Sequence, residues 1–185
     1  MTRHLVFLLE EPSAQDALEG LLPRLLPEGI QTHFLVFEGK QDLEKQMTRR
    51  LRGWLLPQSR FIIMRDQDSG DCLRIKAALV EKCRDAGRPD AIVRIACREL
   101  EAFFIGDWAG VATAFSRPHL ARLSAKAIYR QPDNLGSPSA ELRRHIPEYQ
   151  KRDGARRIGR HLSVTENRSR SLRALVAAVN KACQP

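Results

Sequence analysis

Acidic side chains fall at three places where a short apolar run gives out. Glu10-Glu11 closes the run His4–Glu10 (HLVFLLE), and Asp66 and Asp68 follow Phe61–Met64 (FIIM). Glu99 and Glu101 follow Ala91–Ala96 (AIVRIA). Carboxylates drawn together repel one another and resist desolvation unless a proton or a cation intervenes. An all-oxygen donor set with room for water suits Mg²⁺ or Mn²⁺. Such an ion polarises a phosphoryl oxygen and lowers the pKa of bound water, which is what phosphodiester hydrolysis requires. Each acid also has a plainer use. Asp66-x-Asp68 before Ser69-Gly70 suits a turn, Asp71 suits a helix cap, and Glu99 and Glu101 suit a first helical turn. Residues two apart on a helix do not share a face, so Glu99 and Glu101 act together only from a non-helical start. The coincidence of all three sets carries the metal reading.

That coincidence requires a scaffold that brings the three run ends to one edge. His4–Glu10 is a nearly continuous apolar run, as a strand buried on both faces should be. Pro12 breaks it, and Ser13 is placed to cap a helix over Ala14–Leu26. Ile30–Phe37, Phe61–Met64 and Ala91–Ala96 read as further strands. Charged or amphipathic helices are expected over Gln41–Leu56, Cys72–Ala86 and Glu99–Phe115, the last broken around Gly106 and Gly110. Strand alternating with helix predicts an α/β fold with a central parallel sheet of about four strands and helices on both faces. In such sheets ligands bind outside the carboxyl ends of the strands. Residues 1–115 are expected to form this core. Residues 116–185, punctuated by Pro and Gly and ending in a helix over Leu172–Ala182, are expected to form a helical and loop extension packed on it as one compact unit.

The layout Leu5–Glu10 followed by Glu11-Pro12-Ser13, with Phe61–Asp68 ending in Asp66-x-Asp68, resembles the Toprim domain. That domain occurs in topoisomerases, bacterial primases and nucleases of the overcoming-lysogenisation-defect type. The resemblance implies a Toprim/Rossmann-like fold and an Mg²⁺ (or Mn²⁺) site held by Glu10, Asp66 and Asp68. It assigns Glu99 and Glu101, more loosely, to the second acidic pair of the nuclease-type members. Toprim domains carry Glu-Gly after the first strand; here Glu11 stands in the glycine's place, where it crowds or supplements the site. The segments LLEEPSAQDALEGLLPRLLP, GKQDLEKQMTRRLRGW, MRDQDSGDC and RIACRELEAFFIGD further resemble a family of small bacterial Toprim-like proteins. That likeness implies pairing with an AAA/ABC-type ATPase and a role in defence against foreign DNA.

Charge is unevenly spread. The formal net charge is +9, and residues 116–185 hold 15 of the 31 Lys and Arg but only 5 of the 22 Asp and Glu. Such a footprint suits a polyanion. Lys151, Arg152, Arg156, Arg157 and Arg160 are the candidate nucleic-acid contacts, continued by Arg168, Arg170 and Arg173. Any one of them is placed to offset charge on a transition-state phosphate. Aromatics make up only 6% of the chain, so recognition by base stacking is poorly supported and backbone contact fits better.

The four cysteines form no CxxC pair and the five histidines no zinc spacing, so neither a disulfide framework nor a zinc site is expected. No apolar run reaches the ~20 residues of a membrane span, and no signal-peptide layout opens the sequence, so the cytoplasm is the expected location. The leading expectation is a metal-dependent nuclease. The alternative is a non-catalytic subunit that binds nucleic acid or an ATPase. A phosphoacceptor receiver domain fits less well, because the lysine expected after a fifth strand is missing.

Overall fold

The structure is a computed structural model and describes residues 3–184. Four strands, β1 (Arg3–Leu9), β2 (Ile30–Val36), β3 (Ser59–Asp66) and β4 (Ile92–Ala96), form one sheet in the order β2-β1-β3-β4. Every neighbouring pair is parallel. The fold is therefore the expected α/β, Toprim/Rossmann-like architecture.

Helices α1 (Pro12–Leu21), α2 (Lys40–Arg52) and α3 (Cys72–Asp85) make the crossovers. The two-residue period of the strands sorts their side chains into two cores. Val6, Leu8, Phe61, Ile63, Val93 and Ile95 meet α2 and α3 through Leu43, Met47, Leu51, Leu79 and Cys83. Leu5, Phe7, Leu9, Ile62 and Met64 face the other way, onto α1 and the later helices. The chain runs outward from β1 to β2 and then crosses back to β3. The direction of winding thus reverses between β1 and β3, the place where open sheets hold their ligands.

After β4 come α4 (Glu101–Ile105), α5 (Trp108–Ala114), α6 (Pro138–His145), α7 (Lys151–Gly159) and α8 (Arg170–Ala182), with short 3-10 turns between α5 and α6. Ile158 of α7 and Leu172 and Leu175 of α8 enter the same core as Leu5 and Phe7. Among the described residues no helix is long and apolar enough to cross a membrane. All four cysteines are free.

Two local expectations shift. Ser13 does not cap the first helix: α1 starts at Pro12, and the Ser13 hydroxyl donates to Glu11 Oε1 at 2.6 Å. The same helix stops at Leu21 and continues only as a 3-10 turn, because Pro23 cannot donate the next helical bond. The break expected around Gly106 is present: α4 ends there, and Asp107 caps α5 by accepting from Gly110 N–H, which places Gly110 inside a helix rather than at a break. The break is wedged open from outside. A Cβ at Gly106 would lie 2.1 Å from Asn167 Oδ1 and 2.8 Å from Ser169 N. Asn167 donates in turn to the Phe103 carbonyl at 2.8 Å.

Helices α1 and α7 cross at glycines. A Cβ on Gly159 would sit 2.3 Å from the Ala17 carbonyl oxygen, and one on Gly20 would sit 2.6 Å from the Arg160 amide. The close approach lets Asp16, 4% exposed, accept from Arg152 Nε at 2.7 Å and from Arg156 Nη2 at 3.0 Å. Burial opposes ionisation of Asp16, but the two guanidinium groups outweigh it and hold the carboxyl below its ordinary range. Asp16→Ala is expected to cost about 2 kcal/mol, less than for a fully buried pair because both arginines can turn to water. A lowered carboxyl pKa contributes stability that is present above about pH 4 and lost as pH falls through the folded value. Urea melts should therefore show the difference between wild type and Asp16→Ala shrinking below about pH 4.

Candidate active site

The sheet order sets the ends of β1, β3 and β4 side by side, so acids that follow them must meet. Glu10 leaves β1 with its own N–H donating to the Met64 carbonyl. Its Oε2 accepts from the Asp66 N–H at 2.9 Å and lies 3.9 Å from Arg65 Nε. Burial raises the Glu10 pKa against the lowering effects of the Asp66 amide and Arg65. Asp66 closes β3, in register with Ala96 of β4. Burial pushes the Asp66 carboxyl well above its usual range, and the charges of Glu11, Glu10 and Glu101 push it further. A hydrogen bond from the Leu100 N–H pulls the other way.

Glu101, first residue of α4, is 1% exposed. Its Oε1 accepts from the Tyr149 hydroxyl at 3.1 Å, while its Oε2 is buried with no partner. Burial raises its pKa, and Lys151 opposes that rise. Lys151 Nζ reaches across from α7 to both oxygens of Glu11, each at 3.1 Å. Burial works against the lysine's charge, yet Glu101, Glu11 and Asp66 together hold its pKa above the ordinary value. The gathered group is therefore Glu10, Glu11, Asp66 and Glu101, with Lys151 as counter-charge.

Two of the expected acids stand apart from it. Asp68 takes a left-handed backbone (φ 53), and its carboxylate pairs with Lys40 Nζ at 2.8 Å. It remains within electrostatic reach of Glu10. Glu99 turns away to accept from the Ser139 N–H at 2.6 Å, at the start of α6. Among the described residues no three His, Cys, Asp or Glu side chains already stand in metal-ligating geometry. The donor chemistry nonetheless fits a hard divalent cation. Four carboxyls converge, three of them with raised pKa, and one buried oxygen of Glu101 has nothing to bond.

The basic tract divides by role. Arg152 and Arg156 are engaged with Asp16, and Arg157 pairs with Asp153 at 2.8 Å and lies over the Phe115 ring. Arg160 is exposed beside the helix crossing. Lys151 alone of the five candidates reaches the acids. Sequence reasoning missed Tyr149 and Leu100 as partners of the site. Neither a tyrosine nor a backbone amide carries a spacing signal for such a contact.

The family described as Domain of unknown function (DUF4276) matches residues 9–180. The chain belongs to that family. The matched span takes in every acid of the site and Lys151, so the constellation lies wholly within the family's domain. Among proteins with curated descriptions none matches this chain. Among solved structures, the C-terminal region of the Burkholderia pseudomallei OLD protein is similar over 100% of both chains, with a TM-score of 0.53 and 16% identity. At that identity the likeness is one of fold, and it agrees with the Toprim/Rossmann-like architecture.

Proposed function

We propose that this DUF4276 protein is a Mg²⁺- or Mn²⁺-dependent phosphodiester hydrolase, a nuclease acting at the carboxyl edge of its sheet. The observation that carries the proposal is the convergence on Asp66 of carboxyls that follow β1 and open α4: burial first and their charges second raise its pKa, and Glu101 Oε2 among them is buried with no partner. A bound divalent ion supplies Lewis-acid polarisation and an acidified water. Glu10, Asp66 and Asp68 are the residues we assign to hold it, with Glu99 and Glu101 assisting. Asp68 must leave Lys40 to take part. That pair is exposed, at 47% and 38%, so releasing it costs no more than about 1 kcal/mol. Lys151 is suited to meet the negative charge that builds on the phosphate, since it is protonated and already faces the acids.

The test is cleavage of linear, supercoiled and single-stranded substrates with Mg²⁺, Mn²⁺ or chelator. Glu10→Gln keeps an acceptor for the Asp66 amide but removes the charge. It is expected to lower the rate about a hundredfold or more, by analogy with the loss of one transition-state contact. A Glu10→Gln protein that cuts as fast as wild type overturns the assignment.

One observation favours a second reading: lysines already answer Glu11 and Asp68. In that reading the protein is a non-catalytic subunit that binds nucleic acid or an AAA/ABC-type ATPase. Indifference of its melting temperature to Mg²⁺ and Mn²⁺, together with stoichiometric co-purification of an ATPase, would favour it. In either reading the resemblance to small bacterial Toprim-like proteins points to a role in defence against foreign DNA.

A further inference from the structure

A cluster of unneutralised positive charge lies away from α7. Arg130, Arg168, Arg170 and Arg173 line a hollow of about 470 Å³ together with Asp133 and Asn134. All four arginines are exposed, and none forms an ion pair among the described residues. Among the described residues only Arg168 of the four has a hydrogen bond from its guanidinium, to the Ser124 carbonyl. Asp133, the one acid in the hollow, accepts from the Ser169 hydroxyl at 2.7 Å and the Ser171 N–H at 2.9 Å. Its single charge faces four.

Position makes this worse for the isolated protein. Arg168, Arg170 and Arg173 crowd the amino end of α8, where the helix dipole is already positive. The amides of Ser171 and Leu172 in that first turn are taken by Asp133 and Ser169, so an anion here would be met by guanidinium groups. None of the lining residues is aromatic, which leaves no platform for a base and favours contact with a sugar–phosphate backbone.

The hollow also leads somewhere. Asn134 on its rim is two residues from Gly136, which lines a second hollow with Asp68, Arg98 and Glu99. Two residues span at most about 7 Å, so the two rims come within that distance of each other along the chain. Asp68 in turn is two residues from Asp66.

We propose that the Arg130–Arg168–Arg170–Arg173 hollow binds the backbone phosphates of a nucleic-acid strand and leads that strand along the sheet edge to Asp66. The destination rests on the hydrolase reading; the binding does not. The test is fluorescence anisotropy of labelled single-stranded and duplex oligonucleotides, in chelator so that nothing is cut, between about 50 and 200 mM salt. Arg170→Gln/Arg173→Gln is expected to bind at least about tenfold more weakly. Its plot of log K against log salt should flatten by about one to two, the loss of one or two phosphate contacts.

The matched control is Arg49→Gln/Arg50→Gln at the far end of α2, which removes the same charge and should change binding less than about twofold. The melting temperature of the α8 variant should hold or rise, since it removes charge that opposes the dipole. The proposal is overturned if wild type binds neither oligonucleotide, if the folded α8 variant binds like wild type, or if the α2 control loses as much. Displacement of the oligonucleotide by low-millimolar inorganic phosphate at constant ionic strength also overturns it, assigning the hollow to a small anion. Intact binding without cleavage when Mg²⁺ is restored strikes the hydrolase reading alone.

Discussion

Replacing Asp66 with asparagine should raise the melting temperature of the metal-free protein while lowering Mg²⁺-dependent cleavage about a thousandfold, the several kcal/mol expected when a catalytic metal is lost. The two effects share one cause. Burial and the charges of Glu11, Glu10 and Glu101 make an ionised Asp66 costly. Asparagine keeps the oxygen that accepts the Leu100 N–H and removes the charge. Each kcal/mol recovered is worth about 2–4 °C in a protein of this size. The sign with pH follows from linkage. A carboxyl whose folded pKa lies above its unfolded value binds its proton more tightly in the native state. Stability is then full below the ordinary carboxylate range near 4 and falls as pH rises through the raised value. Glu10 and Glu101 are shifted in the same direction. Thermal melts should therefore show wild type losing stability as pH rises above the ordinary carboxylate range near 4, with Asp66→Asn losing less. Mg²⁺ or Mn²⁺ should restore the wild type at neutral pH and leave the variant unchanged. A variant less stable than wild type at pH 7 in chelator would contradict the account.

Gly159→Val should unseat α7 from α1. The added Cβ meets the backbone of Ala17, at 2.3 Å from its carbonyl oxygen and 2.9 Å from its Cα, and neither is a flexible side chain that can give way. Overpacking of this kind costs about 3 kcal/mol, or roughly 6–12 °C in melting temperature. The helices must part, and the Asp16 pairs and the Lys151–Glu11 contact weaken with them. Gly136→Ala is the control, because a Cβ there meets nothing within 4 Å, and its effect should stay within about 0.5 kcal/mol. Equal melting temperatures for the two variants would show that the crossing tolerates a wider gap.

Much of this was legible in the residues. Each strand is a short apolar run ended by Pro, Gly or acids, and runs alternating with helical segments admit few architectures beyond a parallel sheet. That architecture alone brings Glu10 to Asp66, because one follows β1 and the other closes the adjacent β3. What escaped was set by single backbone angles and long-range contacts. Asp68 is two residues from Asp66, but a left-handed turn sends it to Lys40. Glu99 is drawn off by an amide of α6, 40 residues later. Lys151 looked like one member of a basic tract, and only the α1–α7 crossing singles it out. The same crossing explains why Arg152 and Arg156, spaced four apart on one helical face, close on Asp16. Aspartate on the inner face of α1 and two arginines on α7 are complementary only once the helices are known to touch.

The hydrogen bond from the Asp66 amide to one Glu10 oxygen has a consequence for any cation that arrives. A free glutamate loses about 1.5–2 kcal/mol of rotamer freedom when it is immobilised. Here that ordering is completed during folding, so the first strand offers a fixed jaw. Asp68, on its exposed turn, is the moving one, and the speed of capture should be governed by how readily it swings.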